Sequence, residues 1–255
     1  MSKKQASYAA SYDAGDGVQL KVPYSFFGSE FGDEELQAIK NVLQGETFTM
    51  GPQVDAFQKE WADYCGAKYA FATSSGTTAC ALAVDLLGLK PGDEVITTPI
   101  TFIATSVEIL RRGAVPVFAD VQYETHNIDP TSIREKVTDK TKAIVVIHYG
   151  TQMCDMDEIM AIAKENNLLV VEDAAHTPGA EYKGRKAGSV GDIGCFSFHP
   201  LKNMTTFEGG MLTTSNDDLA EKVFSLRCIG LQNYADQKDY WLPYHYDVVE
   251  VNDVI

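Results

Sequence analysis

The chain has 255 residues, 45% of them hydrophobic, and 36 acidic against 21 basic residues give a formal net charge of −15. Such a length and apolar content suffice for one large domain with a sizeable core, or for one domain and part of a second, and exclude general disorder. The charge argues against a nucleic-acid backbone or an anionic membrane as main partner, so a phosphate-bearing ligand must be held by local devices such as helix N-termini.

Residues 1–22 read as a polar leader: the basic start of MSKKQASYAASYDAGDGVQL is followed by no apolar stretch of secretory length, and no later run reaches membrane-spanning length. In EFGDEELQAIKNVLQG, the positions of Leu36, Ile39, Val42 and Leu43 predict an amphipathic helix. The Gly51-Pro52 break leads into a second helix, VDAFQKEWADYCG. A strand-helix alternation then begins. AKYAFAT, DEVITTP and VPVFADV read as strands, and SSGTTACALAVDLLGL, TFIATSVEILRRG and DPTSIREKVTD as the helices after them. KAIVVIHYG and LLVVEDAAH are dense β-branched runs separated by the helix DMDEIMAIAKENN. Strands that are apolar throughout, with helices between them, predict an α/β sandwich built on a mostly parallel sheet.

Beyond residue 180 the pattern changes to short strands, DIGCFSF and GGMLTTS, and a helix, NDDLAEKVFSLRCIG. Residues 23–240 thus form one large domain. The last stretch, YWLPYHYDVVEVNDVI, stops in an alternating apolar pattern, so 241–255 reads as the start of an interrupted C-terminal segment. Cys65, Cys80, Cys154, Cys195 and Cys228 are scattered without a C-x-x-C pair, which fits reduced thiols in the cytoplasm.

Ligands of open parallel sheets lie at the carboxyl ends of strands, which singles out four places. In ATSSGTTA, Gly76 permits close backbone approach and Thr77 opens a helix whose N–H groups can face an anion. Phe102, in PITFIATS at the start of a helix, offers a flat face for a heteroaromatic ring. VVEDAAH ends the strongest strand with Glu172, Asp173 and, three positions on, His176; a buried carboxylate needs a cation such as a protonated ring nitrogen. Finally, CFSFHPLKNMTTFEGGMLTT sets Lys202 between Ser197 and His199 on one side and a Gly-Gly pair on the other. Taken singly, these are an ordinary helix cap, a core aromatic, a capping acid and a solvated lysine. Together and in this order they describe a pyridoxal phosphate site whose lysine forms the Schiff base.

From about residue 23 onward the sequence resembles the pyridoxal-phosphate-dependent nucleotide-sugar aminotransferases of the DegT/StrS group, of fold type I. The resemblance is carried by TFTMGPQVDAFQKEWADYCGAKYAFATSSGTTA, PGDEVITTPITFIAT, VFADV, EDAAH and, most specifically, FSFHPLKNMTTFEGGM. It implies that Lys202 is the Schiff-base lysine and that Ser197 with the Gly76-Thr77 turn holds the cofactor phosphate. It further implies that Asp173 pairs with the pyridine nitrogen, His176 approaches the phenolic oxygen and Phe102 stacks on the ring. Related sugar 3-dehydratases carry histidine in place of the lysine, so Lys202 favours transamination from an amino acid, typically glutamate, to a nucleotide-linked ketosugar. The resemblance also implies a homodimer and a smaller C-terminal domain, expected to begin about where this chain stops. A catalytically inactive binding or interaction protein with the same fold is the alternative.

Overall fold

The computed structural model describes residues 31–45 and 50–227; the expected leader 1–22 and segment 241–255 lie outside the described residues, as does Cys228. The chain runs α1 (Asp33–Leu43), α2 (Pro52–Cys65), β1 (Tyr69–Thr73), α3 (Gly76–Leu86), β2 (Glu94–Thr97), α4 (Ala104–Arg111) and β3 (Val115–Phe118). It continues through α5 (Pro130–Lys136), β4 (Thr141–Ile147), α6 (Met156–Asn166), β5 (Leu169–Asp173) and the small hairpin β6 (Glu181–Tyr182) and β7 (Arg185–Lys186). β8 (Ile193–Ser197), β9 (Gly210–Thr214) and α7 (Asp217–Arg227) complete it.

Local chemistry sets the boundaries. Pro52 starts α2, where its missing N–H costs nothing, and Gly66 ends the helix in the left-handed region at φ 74°. Ser75 caps α3 by accepting from the Thr78 N–H at 3.1 Å, and Asp129 does the same for α5 through the Thr131 N–H at 2.9 Å.

Seven strands form one sheet in the order β1-β9-β8-β5-β4-β2-β3. β3, β2, β4, β5 and β8 are successively parallel, whereas β9 runs antiparallel to both of its neighbours. The alternation of side chains along each strand divides the core in two. On one face Ile144, Val146, Val170 and Phe196 pack with Trp61 of α2, Ile133 of α5 and Ile159 of α6. On the other, Val95, Val145, Val171 and Leu212 pack with Ala83 of α3, Ile109 of α4 and Val223 of α7. The sheet is therefore covered on both sides, as its near-continuous apolar strands require.

α1 obeys the predicted helical spacing, but none of its residues is buried, and Leu36, Ile39, Val42 and Leu43 remain exposed. Phe102, expected at the start of a helix, lies in the turn two residues before α4 begins. Among the described residues no helix is long and apolar enough to cross a membrane.

Candidate active site

Parallel strands deliver their last residues to the same edge of the sheet. A cavity of about 310 Å³ opens there between the ends of β4, β5 and β8 and the first turn of α3. Gly76, Thr77, Phe102, Asp173, His176, Ser197 and Lys202, the seven residues singled out in the sequence, all line it.

The contact of Gly76 with Ser197 shapes one end. A β-carbon at position 76 would lie 2.6 Å from Ser197 Cβ and 3.1 Å from its Oγ, so only glycine lets the start of α3 come this close to the end of β8. The 11-residue α3 points its free N–H groups at this end, which makes it suited to an anion.

Asp173 closes β5 and is 4% exposed. Its Oδ2 accepts a hydrogen bond from Thr105 Oγ1 at 3.0 Å, and its Oδ1 accepts from the Ala175 N–H at 3.2 Å. Glu172, one residue earlier and so on the opposite face of the sheet, is fully buried. His148 Nε2 donates to its Oε2 at 2.8 Å, and the N–H groups of Gly188, Val190 and Gly191 supply three further donors. Since His148 Nδ1 accepts from the Cys154 N–H at 3.2 Å, the imidazole proton sits on Nε2. Burial alone would raise the Glu172 carboxyl; the His148 hydrogen bond, then the Gly191 and Gly188 N–H groups, outweigh it and hold the group below its ordinary value.

Lys202 rides on the loop between β8 and β9. The loop is closed at its base by the Phe198 N–H donating to Gly209 O at 2.9 Å and by the Thr206 N–H donating to Phe198 O at 3.0 Å. The Lys202 N–H donates to His199 O at 2.8 Å, forming the turn that carries the lysine. Half-burial pushes the lysine amine below its ordinary value, against the opposing pull of Asp173. His176 is lowered as well, first by burial and then by the nearby Lys202 charge, again against Asp173. Its ring meets Tyr149 edge-on with centroids 6.1 Å apart.

The cavity also includes Cys80, Cys195, His199 and Glu208, which sequence reasoning did not single out as site residues. His148 followed the β4 apolar run at the kind of strand end that marks such sites, so its position was a usable signal. Thr105 carried none, because a threonine in the first turn of a helix is unremarkable until its partner is known.

The sequence matches the DegT/DnrJ/EryC1/StrS aminotransferase family over residues 29–246. It is 45% identical over 195 residues to the GDP-perosamine synthase of Caulobacter vibrioides, covering 76% of this chain and 52% of that one. The fold is similar to that of the aminotransferase from Psychrobacter cryohalolentis, with a TM-score of 0.82 at 41% identity, over 89% of this chain and 58% of the other. It is also similar to a GDP-4-keto-6-deoxymannose-3-dehydratase solved with a trapped PLP-glutamate geminal diamine, with a TM-score of 0.76 at 33% identity, over 80% and 54% of the two chains. The chain spans about half the length of the curated relatives it matches. With a match across most of its length and a fold shared with solved aminotransferases, the chain belongs to the DegT/DnrJ/EryC1/StrS aminotransferase family.

Proposed function

We propose that this chain carries the cofactor-binding domain, residues 23–240, of a pyridoxal-phosphate-dependent aminotransferase. It would move an amino group from an amino acid, glutamate foremost, to a nucleotide-linked ketosugar. Pyridoxal phosphate is the cofactor of the family. One observation carries the reading: Lys202 and Asp173 line one cavity, and at its end Gly76 leaves a cradle that a β-carbon would fill.

The residues present fit the group. The first turn of α3 with Thr77 and Ser197 would hold its phosphate, Phe102 would face the ring, Asp173 the ring nitrogen and His176 the phenolic oxygen. When bound, pyridoxal phosphate supplies an electron sink for the pair left on the donor carbon as its proton departs. Asp173, its carboxylate already braced by two donors, would favour the protonated form of the ring nitrogen. Lys202 would anchor the group and, when its amine is free, would take up and return a proton as general base and then acid. Its lowered proton affinity supports the basic half of that role. A lysine at this position favours transamination over the dehydration named for one structural relative.

Phe102, Ile103, Leu201, Met204 and Phe207 expose apolar surface beside the cavity and on the lysine loop, which supports a homodimer in which a second copy covers them. The four described cysteines are free, and we place the protein in the cytoplasm. A second reading is the same fold without turnover, as a binding or interaction protein.

The test is addition of pyridoxal phosphate to the 255-residue chain and to Lys202→Ala, with assays of each against glutamate and a panel of nucleotide-linked ketosugars. Expected is a yellow, borohydride-sensitive band attached at Lys202, absent from the variant, whose fold is unchanged. A band with no turnover supports the second reading; an unchanged band in Lys202→Ala overturns the assignment of the lysine.

A further inference from the structure

A buried threonine in a helix ordinarily returns its hydroxyl proton to a carbonyl of the preceding turn. Thr105, in the first turn of α4 and 1% exposed, instead donates across to Asp173 Oδ2 at 3.0 Å, from one element of the fold to another. Thr101 Oγ1 lies 3.0 Å from Thr105 Oγ1. A hydroxyl has one proton, and that of Thr105 is committed to the carboxylate, so Thr101 must be the donor of this second bond. The result is a directed chain, Thr101 to Thr105 to Asp173, ending on one carboxylate oxygen while the Ala175 N–H binds the other. Both oxygens are thus tied, and the torsion of the carboxylate is fixed by Ala175 of the cavity wall on one side and by the two threonines, which do not line the cavity, on the other.

The chain also joins two parts of the site. Phe102 stands three residues before Thr105, and the Thr105 N–H donates to Phe102 O at 3.2 Å, so the aromatic plate and the brace on the acid share one helix start. A shift of this turn would move both at once. A hydrogen bond to a charged, buried acceptor is also among the stronger kinds available to a protein.

We propose that Thr105, backed by Thr101, is a positioning residue that sets the orientation of Asp173 toward the cofactor ring nitrogen. This rests on the reading of the cavity as a pyridoxal phosphate site. Thr105 acts through Asp173 and does not touch the cofactor.

The experiment titrates the 255-residue chain with pyridoxal phosphate and follows the visible absorption band, its dissociation constant and its pH midpoint. The variants are Thr105→Val, which keeps the shape and removes the hydroxyl, Thr105→Ser, which keeps the hydroxyl and removes the methyl, and Thr101→Val. Unfolding of each is measured without cofactor. Expected are roughly tenfold weaker binding and a displaced pH midpoint for Thr105→Val, from the loss of one charge-assisted hydrogen bond. Thr105→Ser should restore both, and Thr101→Val should give a smaller change in the same direction. A Thr105→Val band with wild-type affinity and midpoint, or a Thr105→Ser variant as impaired as Thr105→Val, overturns the proposal. If Thr105→Val does not fold, wild-type behaviour of Thr101→Val does so. Failure of the wild-type chain to develop any band would instead overturn the reading of the site itself.

Discussion

Ser197 at the end of β8 rests directly against the Cα of Gly76 at the start of α3, with no room for a β-carbon between them. Gly76→Ala must therefore push β8 and α3 apart or displace the Ser197 hydroxyl. Overpacking of this kind costs about 1–3 kcal/mol, and here it falls on the surface assigned to the cofactor phosphate. The variant should unfold at lower denaturant concentration and bind pyridoxal phosphate at least tenfold more weakly. Inorganic phosphate should compete with the cofactor in the wild type and less well in the variant. Unaltered binding of both would show that the phosphate lies elsewhere.

His148 and Glu172 make a different kind of prediction, about stability. Removing the His148 donor leaves the buried Glu172 carboxylate short of one hydrogen bond, at a cost of about 1–3 kcal/mol. His148→Ala should show this loss at pH 7 in a denaturant melt without cofactor, although three N–H groups still bind Glu172. In the variant, burial would act on Glu172 without the offset from His148, so its folded proton affinity would rise. A group raised in the folded state contributes stability at low pH, so the deficit should shrink as pH falls toward 5. A deficit independent of pH would mean that the lost packing of the imidazole, rather than the carboxylate, dominates.

The acid side of the stability profile should also report His176. Its folded value is lowered by burial and by Lys202, so the unfolded chain takes up a proton that the native state refuses. Stability contributed by neutral His176 is present above its unfolded value of about 6.5 and is lost as pH falls through that value toward the folded one. His176→Gln cannot titrate. Denaturant midpoints of the variant should therefore fall less steeply between pH 7.5 and 5.5 than those of the wild type. Parallel profiles would place the acid sensitivity on other groups.

Much of this site was legible because its chemistry sits where strands end. The apolar runs around Val145, Val171 and Phe196 predicted a covered sheet, and the polar residues just after such runs are the ones that line the cavity. What stayed hidden depends on pairing across the sheet and between layers. Glu172 and Asp173 are neighbours in sequence, yet alternation sends one to His148 and the other to Thr105, on opposite faces. Neither partner can be read from the local sequence, since 24 residues separate the first pair and 68 the second. The reversal of β9 was equally hidden, because a short apolar strand reads the same in either direction. For α1, periodicity announced the helix correctly, but it carries no information about what, if anything, the apolar stripe meets.

That reversed strand has a consequence for how the site comes into being. β9 is held between β8 and β1, pairing Gly210 with both Ser197 and Thr73. The loop bearing Lys202 and the turn bearing Gly76 are therefore joined only after segments from opposite ends of the domain have met. Contacts this distant in sequence pay a large loop-closure entropy and form late in folding. The β1–β9 edge is in this sense a latch. Through it the turn bearing Gly76 and the loop bearing Lys202 are tied to one strand, so assembly of the site should track the pairing of β9.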